Sequence, residues 1–200
     1  MKQLHRHDLF TWSVYNEPLR LDFNSFLWTR SDGNLLVDPL PITASDLKHL
    51  EELGGAAFII ITNSDHVRGA GELAASTGAK VFGPRGEREK FPLPSVDFVK
   101  DGDEPLPGLK VRELAGSKTE GELALVLEET TALFGDLVRS GRADALALLP
   151  APKLKDRARA LDSLRRMRSL HPHIANVLVG DGYCAFRHGG DLLAELANSS

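Results

Sequence analysis

The stretch 57-AFIIITNSDHVRG-69 decides how this chain is read. Its first half is a continuous apolar, β-branched run, the signature of a short strand buried on both faces. Its second half breaks into Asn63-Ser64-Asp65-His66, a loop that sets a carboxylate and an imidazole at the carboxyl end of that strand. A helix follows, with Ala70, Leu73, Ala74 and Thr77 on one face and Gly78 as its stop. Upstream, Thr43 and Asp46 form a capping box for a helix over 43–53, with Leu47, Leu50 and Leu53 at helical spacing before Gly54-Gly55. Downstream, 80-KVFGP-84 is a short strand. Residues 43–84 therefore read as helix, strand, helix, strand, a parallel α/β unit.

On either side of that unit the pattern is β-rich. Segments 9–15, 20–28 and 35–37 alternate or run apolar between turns, which predicts an antiparallel meander. After a charged helical turn at 85–90, strands are expected at 96–99, 109–114, 122–128 and 131–136, with 109–114 half-exposed and 122–127 central. Pro152 is expected to open a helix running to 170, with Leu154, Ala158, Leu161, Leu164, Met167 and Leu170 on its apolar face. A buried strand at 174–180 and a helix around 190–197 complete the chain. Mixed sheets with helices outside them make a layered α/β sandwich.

The composition agrees with a globular protein. The chain has 200 residues, of which 42% are hydrophobic and 26% charged, close to the usual averages. One domain over 1–200 is expected, burying roughly two-thirds of its unfolded surface. No apolar run approaches the ~20 residues of a membrane span. The opening MKQLHRHDLF has no apolar core of a secretory signal. A single cysteine, Cys184, cannot form an internal disulfide, which fits a reducing compartment, so a cytoplasmic location is expected. The net charge of −4 gives no case for nucleic acid as a partner. A small-molecule substrate or ligand is expected, with no membrane, and a homo-oligomer stays open.

Acidic or imidazole groups fall at the carboxyl ends of several buried strands: Asp65, His66, Asp136 and Asp181. In α/β sheets that is where ligands bind. With these positions in view, the chain resembles the metallo-β-lactamase superfamily. The resemblance is carried by Asn24-Ser25-Phe26-Leu27, by the L-V-D-P strand with Asp38, by the Asp-His loop and by G-A-x-V-x-G-P at 78–84. It continues through P-G-L-x-V-x-E-L-x-G at 107–116, G-D-L at 135–137 and the final G-D-G at 180–182. What it implies is an αββα four-layer sandwich, two mixed β-sheets flanked by helices, in a family made up mostly of metal-dependent hydrolases.

The departures bear on function. The family's first loop reads T-H-x-H-x-D-H; anchored on Asp65-His66, its two histidine positions hold Ile61 and Asn63, and anchored on Thr62 the loop is two residues shorter. Gly116 is followed by Ser117 where the family has a third histidine, and Asp181 replaces the last one. The resemblance thus leaves Asp65, His66, Asp136 and Asp181 as the candidate metal ligands and removes the first site's imidazoles. One imidazole with three carboxylates is an oxygen-rich set that suits Mn²⁺ or Fe²⁺ about as well as Zn²⁺. At most one divalent ion is expected, or none, and no binuclear zinc centre. A hydrolase of that kind would act through metal-bound water with a carboxylate base, making Asp65 and Asp136 the catalytic candidates.

A second reading stands beside it. Arg68, Lys118 and Arg139 lie close in sequence to the candidate ligands, and an ammonium or guanidinium in the metal's space would neutralise the carboxylates. The chain would then be a non-catalytic descendant that binds a ligand or partner in a cleft lined by Asn63, Ser117, Lys118, Arg68 and Arg139. Structurally simpler roles are also available. Asp65 could cap the following turn, Asp136 and Asp181 could form turns, and Ser117, with no histidine nearby, reads as a loop hydroxyl. His5, His7, His49, His171 and His173 fall outside the motifs, Cys184 reads as a buried small residue, and the arginine-rich face of the long helix reads as solvated.

Overall fold

The computed structural model describes residues 1–199 as two β-sheets with helices on their outer faces. The first sheet holds β1 (Lys2–Gln3), β2 (Leu9–Asn16), β3 (Leu21–Trp28) and β4 (Leu35–Val37), an antiparallel meander. α1 (Ala44–Glu52), β5 (Phe58–Ile60), α2 (Ala70–Thr77), β6 (Lys80–Pro84) and β7 (Val96–Val99) follow, with β4 to β7 paired in parallel. The second sheet holds β8 (Leu109–Glu113), β9 (Leu123–Leu127), β10 (Thr131–Phe134) and, after a short ladder of β11 (Val138–Arg139) with β12 (Ala147–Leu148) and helix α3 (Arg157–Leu170), β13 (Asn176–Val179). Its order is β13-β10-β9-β8, with β10 and β13 parallel, and α4 (Gly189–Ala197) comes last.

Period-2 alternation builds the layers. In β9, Leu123, Leu125 and Leu127 enter the core between the sheets, where they meet Phe26, Trp28, Leu35, Val37 and Ile60 of the first sheet. Their neighbours Ala124 and Val126 turn outward to Ala160, Leu164 and Met167 of α3 and Leu193 of α4. In the first sheet Leu36 and Ile59 likewise turn outward, to Leu50 of α1 and Leu73 of α2. Both faces are covered at β5 and β9, which explains why 58–61 and 123–127 read as unbroken apolar runs.

Local signals hold in detail. Thr43 Oγ1 accepts the backbone N–H of Asp46 and caps α1, while Gly78 takes the left-handed conformation, φ +73°, that ends α2. Pro152 does not open the long helix. It lies in a 3₁₀ turn over Ala151–Lys153, and α3 starts five residues later, where the Asp156 side chain accepts from Arg159 N. Ala158 and Leu170 are consequently exposed, and Ala160 takes the core position. The short strands β1, β11 and β12 carry too few residues to show a period. No helix among the described residues is long and apolar enough to cross a membrane.

Candidate functional site

Four strand ends meet at one edge of the sandwich. Asp38 follows β4, Thr62 to His66 follow β5, Asp136 follows β10 and Asp181 follows β13. The two sheets are tied together there by Asn24 N donating to Gly180 O at 2.8 Å and Leu123 N donating to Thr62 O at 2.8 Å. The polar groups at this edge are therefore held by backbone from both sheets.

His66 is the hub, and it is almost wholly buried. Its Nδ1 lies 2.7 Å from Asp38 Oδ2. The Asp38 carboxylate also accepts Thr62 N at 2.7 Å and Thr62 Oγ1 at 2.6 Å. His66 Nε2 faces Asp136 Oδ2 at 3.6 Å. Burial by itself lowers the imidazole pKa, but the charge of Asp38 and the contacts to both carboxylates outweigh it, raising the value from 6.5 to about 9. The two carboxylates therefore favour the charged form of the ring, against burial and the nearby Arg68 guanidinium. Glycine is required beside it, because a Cβ on Gly180 would stand 2.9 Å from His66 Cε1 and 3.0 Å from Gly135 O.

Asp38 and Arg68 both adopt left-handed backbone, φ 46° and 45°, a conformation that persists in such residues only where the surroundings hold it. Asp38 is held through its carboxylate and through its carbonyl, which accepts from Ser25 Oγ at 2.7 Å. Arg68 turns its guanidinium inward. Its Nη1 donates to Asn24 O at 2.7 Å, and its Nη2 lies 3.3 Å from His66 Nε2 and 3.6 Å from Asp181 Oδ1.

Lys118 closes the other side. Its Nζ sits between Asp65 Oδ2 at 2.6 Å and Asp136 Oδ2 at 2.9 Å. Asn63 Nδ2 adds a hydrogen bond to the same Asp136 oxygen at 3.2 Å. Burial pushes the Asp136 carboxyl up, but His66 and Lys118 more than offset it and hold it well below the usual carboxylate range. Asp181 is the contrary case. Burial and the like charge of Asp136 raise it, although Arg68 and Arg139 stand 3.6 and 3.9 Å away. Those distances are ion-pair contacts too long to be hydrogen bonds, and Asp181 Oδ1 has no hydrogen-bond partner.

Beneath Asp136 lies a fully buried Glu122. Its Oε1 accepts the backbone N–H groups of Asp136 at 2.8 Å and Leu137 at 2.7 Å, and Ser117 Oγ donates to Oε2. Burial and the charge of Asp136 push Glu122 up to about 7, against the pull of these donors.

This donor set does not fit a divalent metal as arranged. The Asp65 and Asp136 oxygens that would coordinate an ion are bridged by one ammonium. A guanidinium nitrogen of Arg68 stands 3.3 Å from Nε2 of His66, and Asp181 lies between two arginines. Lys118, Arg68, Arg139 and His66 thus stand against the carboxylates of Asp65, Asp136 and Asp181, in the space an ion would need. Among the described residues, no group of three or more His, Cys, Asp or Glu side chains converges so as to hold a metal ion.

The structure brings together most of the residues singled out from the sequence: Asp65, His66, Asp136 and Asp181, with Arg68, Lys118 and Arg139 between them. Ser117, expected on the cleft wall, is fully buried and serves Glu122 instead. Asn63 is fully buried as well, and it rather than Asp65 caps the turn, its Oδ1 accepting Asp65 N at 3.0 Å. Asp65 itself remains more than half exposed. Asp38 and Glu122 were missed as parts of the site. Asp38 was visible as an acid between an apolar strand and Pro39, and Glu122 as an acid opening the apolar run LALVL. Among the remaining histidines, His171 is buried and pairs with Glu129 Oε2 at 2.6 Å.

A sandwich of this order with acids and an imidazole at its strand ends defines the metallo-β-lactamase class of fold. The family model of the metallo-β-lactamase superfamily matches residues 1–200, and the chain belongs to that superfamily. Solved structures similar to it include a metallo-β-lactamase from Erythrobacter litoralis, with TM-score 0.77, 16% identity, and coverage of 98% of this chain and 94% of that one. A metallo-β-lactamase from Pontibacter korlensis gives TM-score 0.76, 15% identity, and coverage of 99% and 98%. The protein TTHA1623, solved in a di-iron-bound form, gives TM-score 0.68, 24% identity, and coverage of 92% and 98%. No curated protein matches the chain. At these identities the neighbours establish the fold alone.

Proposed function

We propose that this chain is a single metallo-β-lactamase-like domain over 1–200 that has become a ligand-binding descendant of the superfamily's hydrolases. In it Lys118, Arg68 and Arg139 take the place of metal. The fold is of the metal-dependent hydrolase type; what is particular to this chain is its cation set. The observation that carries the reading is the Lys118 ammonium, 2.6 Å from Asp65 and 2.9 Å from Asp136. Asp65 and Asp136 then act as anchors for that ammonium and not as catalytic groups. The ligand is a small molecule, and the setting is the cytoplasm.

One observation favours the other reading, a hydrolase with one Zn, Mn or Fe ion at Asp65, His66, Asp136 and Asp181. Asp38 grips His66 through Nδ1 and aims Nε2 towards Asp136, as the outer carboxylates of metal-binding histidines do. That reading requires an ion to displace Lys118. Elemental analysis of protein purified without chelator separates the two. Substoichiometric metal and a melt indifferent to EDTA, Mn²⁺ and Zn²⁺ are expected. About one equivalent of metal, with EDTA lowering the melting temperature, would establish the hydrolase reading instead.

A further inference from the structure

Lys118 reaches the centre from the loop 115–121, which lies between β8 and β9. The neck of the loop is closed where Leu114 N donates to Glu122 O at 2.8 Å. Glycines anchor its two shoulders. Gly116 takes the left-handed conformation, φ +83°, and a Cβ on it would collide with Asp156 O and Ala160 N. Its carbonyl accepts Lys155 N at 3.1 Å and Asp156 N at 3.2 Å. Gly121 packs on Gly86, and a Cβ on either would stand 2.8 Å from the other's Cα. These contacts fix the outer part of the loop against the start of α3 and the turn at 85–90.

The inner part is fixed by Glu122. Its carboxylate is fully buried and forms no ion pair among the described residues. Its two oxygens divide their partners between two segments. Oε1 accepts Asp136 N at 2.8 Å and Leu137 N at 2.7 Å, in the turn after β10. Oε2 accepts from Ser117 Oγ, in the loop. Ser117 is itself fully buried and is the chain neighbour of Lys118. One side chain therefore ties the turn that presents the Asp136 carboxylate to the loop that presents the Lys118 ammonium. Burying a carboxylate without a cation is costly, so its presence calls for a reason. An apolar residue at 122 would leave donors of both segments unsatisfied.

We infer that Glu122, acting through Ser117, is the positioning residue of this site: it holds the loop so that the Lys118 ammonium stays seated between Asp65 and Asp136. A lysine side chain has many rotamers, and confining its ammonium between two carboxylates opposes that freedom. Arg68 is held by its own guanidinium on Asn24 O. Lys118 has only the two carboxylates at its tip and depends on the backbone that carries it. The inference deepens the binding reading above and rests on it for the claim that an ammonium occupies the centre.

The test is a proton–nitrogen NMR spectrum of the lysine ammonium groups of the full chain, in EDTA at mildly acidic pH. Wild type is compared with Ser117→Ala, Ser117→Cys and Glu122→Gln, and Lys118→Met assigns the Lys118 signal. Ammonium protons held by carboxylates exchange with water more slowly than free ones, so a seated Lys118 gives a signal. Lys80 and Lys110, paired with Asp97 and Glu129 away from the loop, serve as internal references. Ser117→Ala deletes the donor, and Ser117→Cys nearly keeps the volume while leaving only a weak one. Both should lose the Lys118 signal while the references and the backbone amide spectrum outside the loop stay unchanged, which a general loss of structure would not do. Glu122→Gln should retain it, because the amide oxygen still accepts Asp136 N and Leu137 N and the amide nitrogen donates to Ser117 Oγ. A wild-type signal that both Ser117 variants leave intact would overturn the inference alone. So would its loss in Glu122→Gln. A wild type that lacks the Lys118 signal would strike the ammonium reading on which the inference rests.

Discussion

Replacing Lys118 by methionine removes the ammonium that bridges Asp65 and Asp136 while keeping an apolar stem of similar length. The two arms differ in worth. Asp65 is 55% exposed, and an exposed pair contributes roughly 0–1 kcal/mol. Asp136 is 6% exposed, and stripping the partner from a buried charge costs about 3–5 kcal/mol. That figure must be reduced here, because Lys118 is itself 25% exposed and Asp136 keeps Asn63 and the nearby His66. A net loss of about 2–3 kcal/mol follows. For a chain of this length it lowers the melting temperature by roughly 5–10 °C, at about 2–4 °C per kcal/mol. Denaturant and thermal melts in EDTA read this loss. The same variant frees the carboxylate lone pairs, so Mn²⁺ or Zn²⁺ should now raise the melting temperature, by about 2.7 kcal/mol of stability at a hundredfold excess over Kd. Wild type should not respond. A Lys118→Met protein within ~0.5 kcal/mol of wild type, the range of ordinary surface changes, would refute the bridging role. So would a wild type that EDTA destabilises.

Three further outcomes are expected. His66 is raised from 6.5 to about 9, so its contribution is complete below about pH 6.5 and is lost as pH climbs through about 9; stability should fall by on the order of 3 kcal/mol across that window, and His66→Gln should flatten it in pH-dependent urea melts. Glu122 is raised from 4.5 to about 7, which disfavours its charged form in the folded state, so stability should also decline between about pH 4.5 and 7; Glu122→Gln should remove that slope and be neutral or stabilising at pH 8, and a strongly destabilised variant at that pH would show the carboxylate charge is needed. Gly180→Ala places a Cβ 2.9 Å from His66 Cε1 and 3.0 Å from a backbone oxygen; it should cost about 1–3 kcal/mol and shift the His66 ring resonances, and an unperturbed imidazole spectrum would contradict the packing described.

The fold was legible because its signals are local and redundant. The run LALVL shows no alternation, as a strand covered on both faces must, and its alternate residues feed two different clusters. The order of helix and strand over 43–84 admits a parallel crossover and little else. The start of α3 was misread for a physical reason. A proline is compatible with the first turn of an α-helix and equally with a 3₁₀ turn, and only the Asp156 side chain accepting Arg159 N, after Leu154 has packed, decides between them. Ala158 and Ala160 cannot be ranked by hydrophobicity, so the phase of that helix moved with its start.

The site was legible only as an inventory of charges. Asp65, His66, Asp136 and Asp181 stand out in sequence because each follows an apolar strand, but which cation meets which carboxylate depends on how the two sheets are stacked. Lys118 is over fifty residues from Asp65 and eighteen from Asp136 along the chain, yet it bridges them because Leu123 N reaches Thr62 O and draws the loop before β9 across the end of β5. Asp38 is legible as part of the L-V-D-P strand but not as part of the site, because its role is to hold another residue: its carboxylate is used up by Thr62 and His66 and offers nothing outward. The acids at this edge need fixed positive charge to stay ionised where they are buried. Lys118, Arg68 and Arg139 supply it on side chains long enough to span the gap from neighbouring loops. Asp181, whose arginines approach no closer than 3.6 Å, is the point where that compensation is least complete.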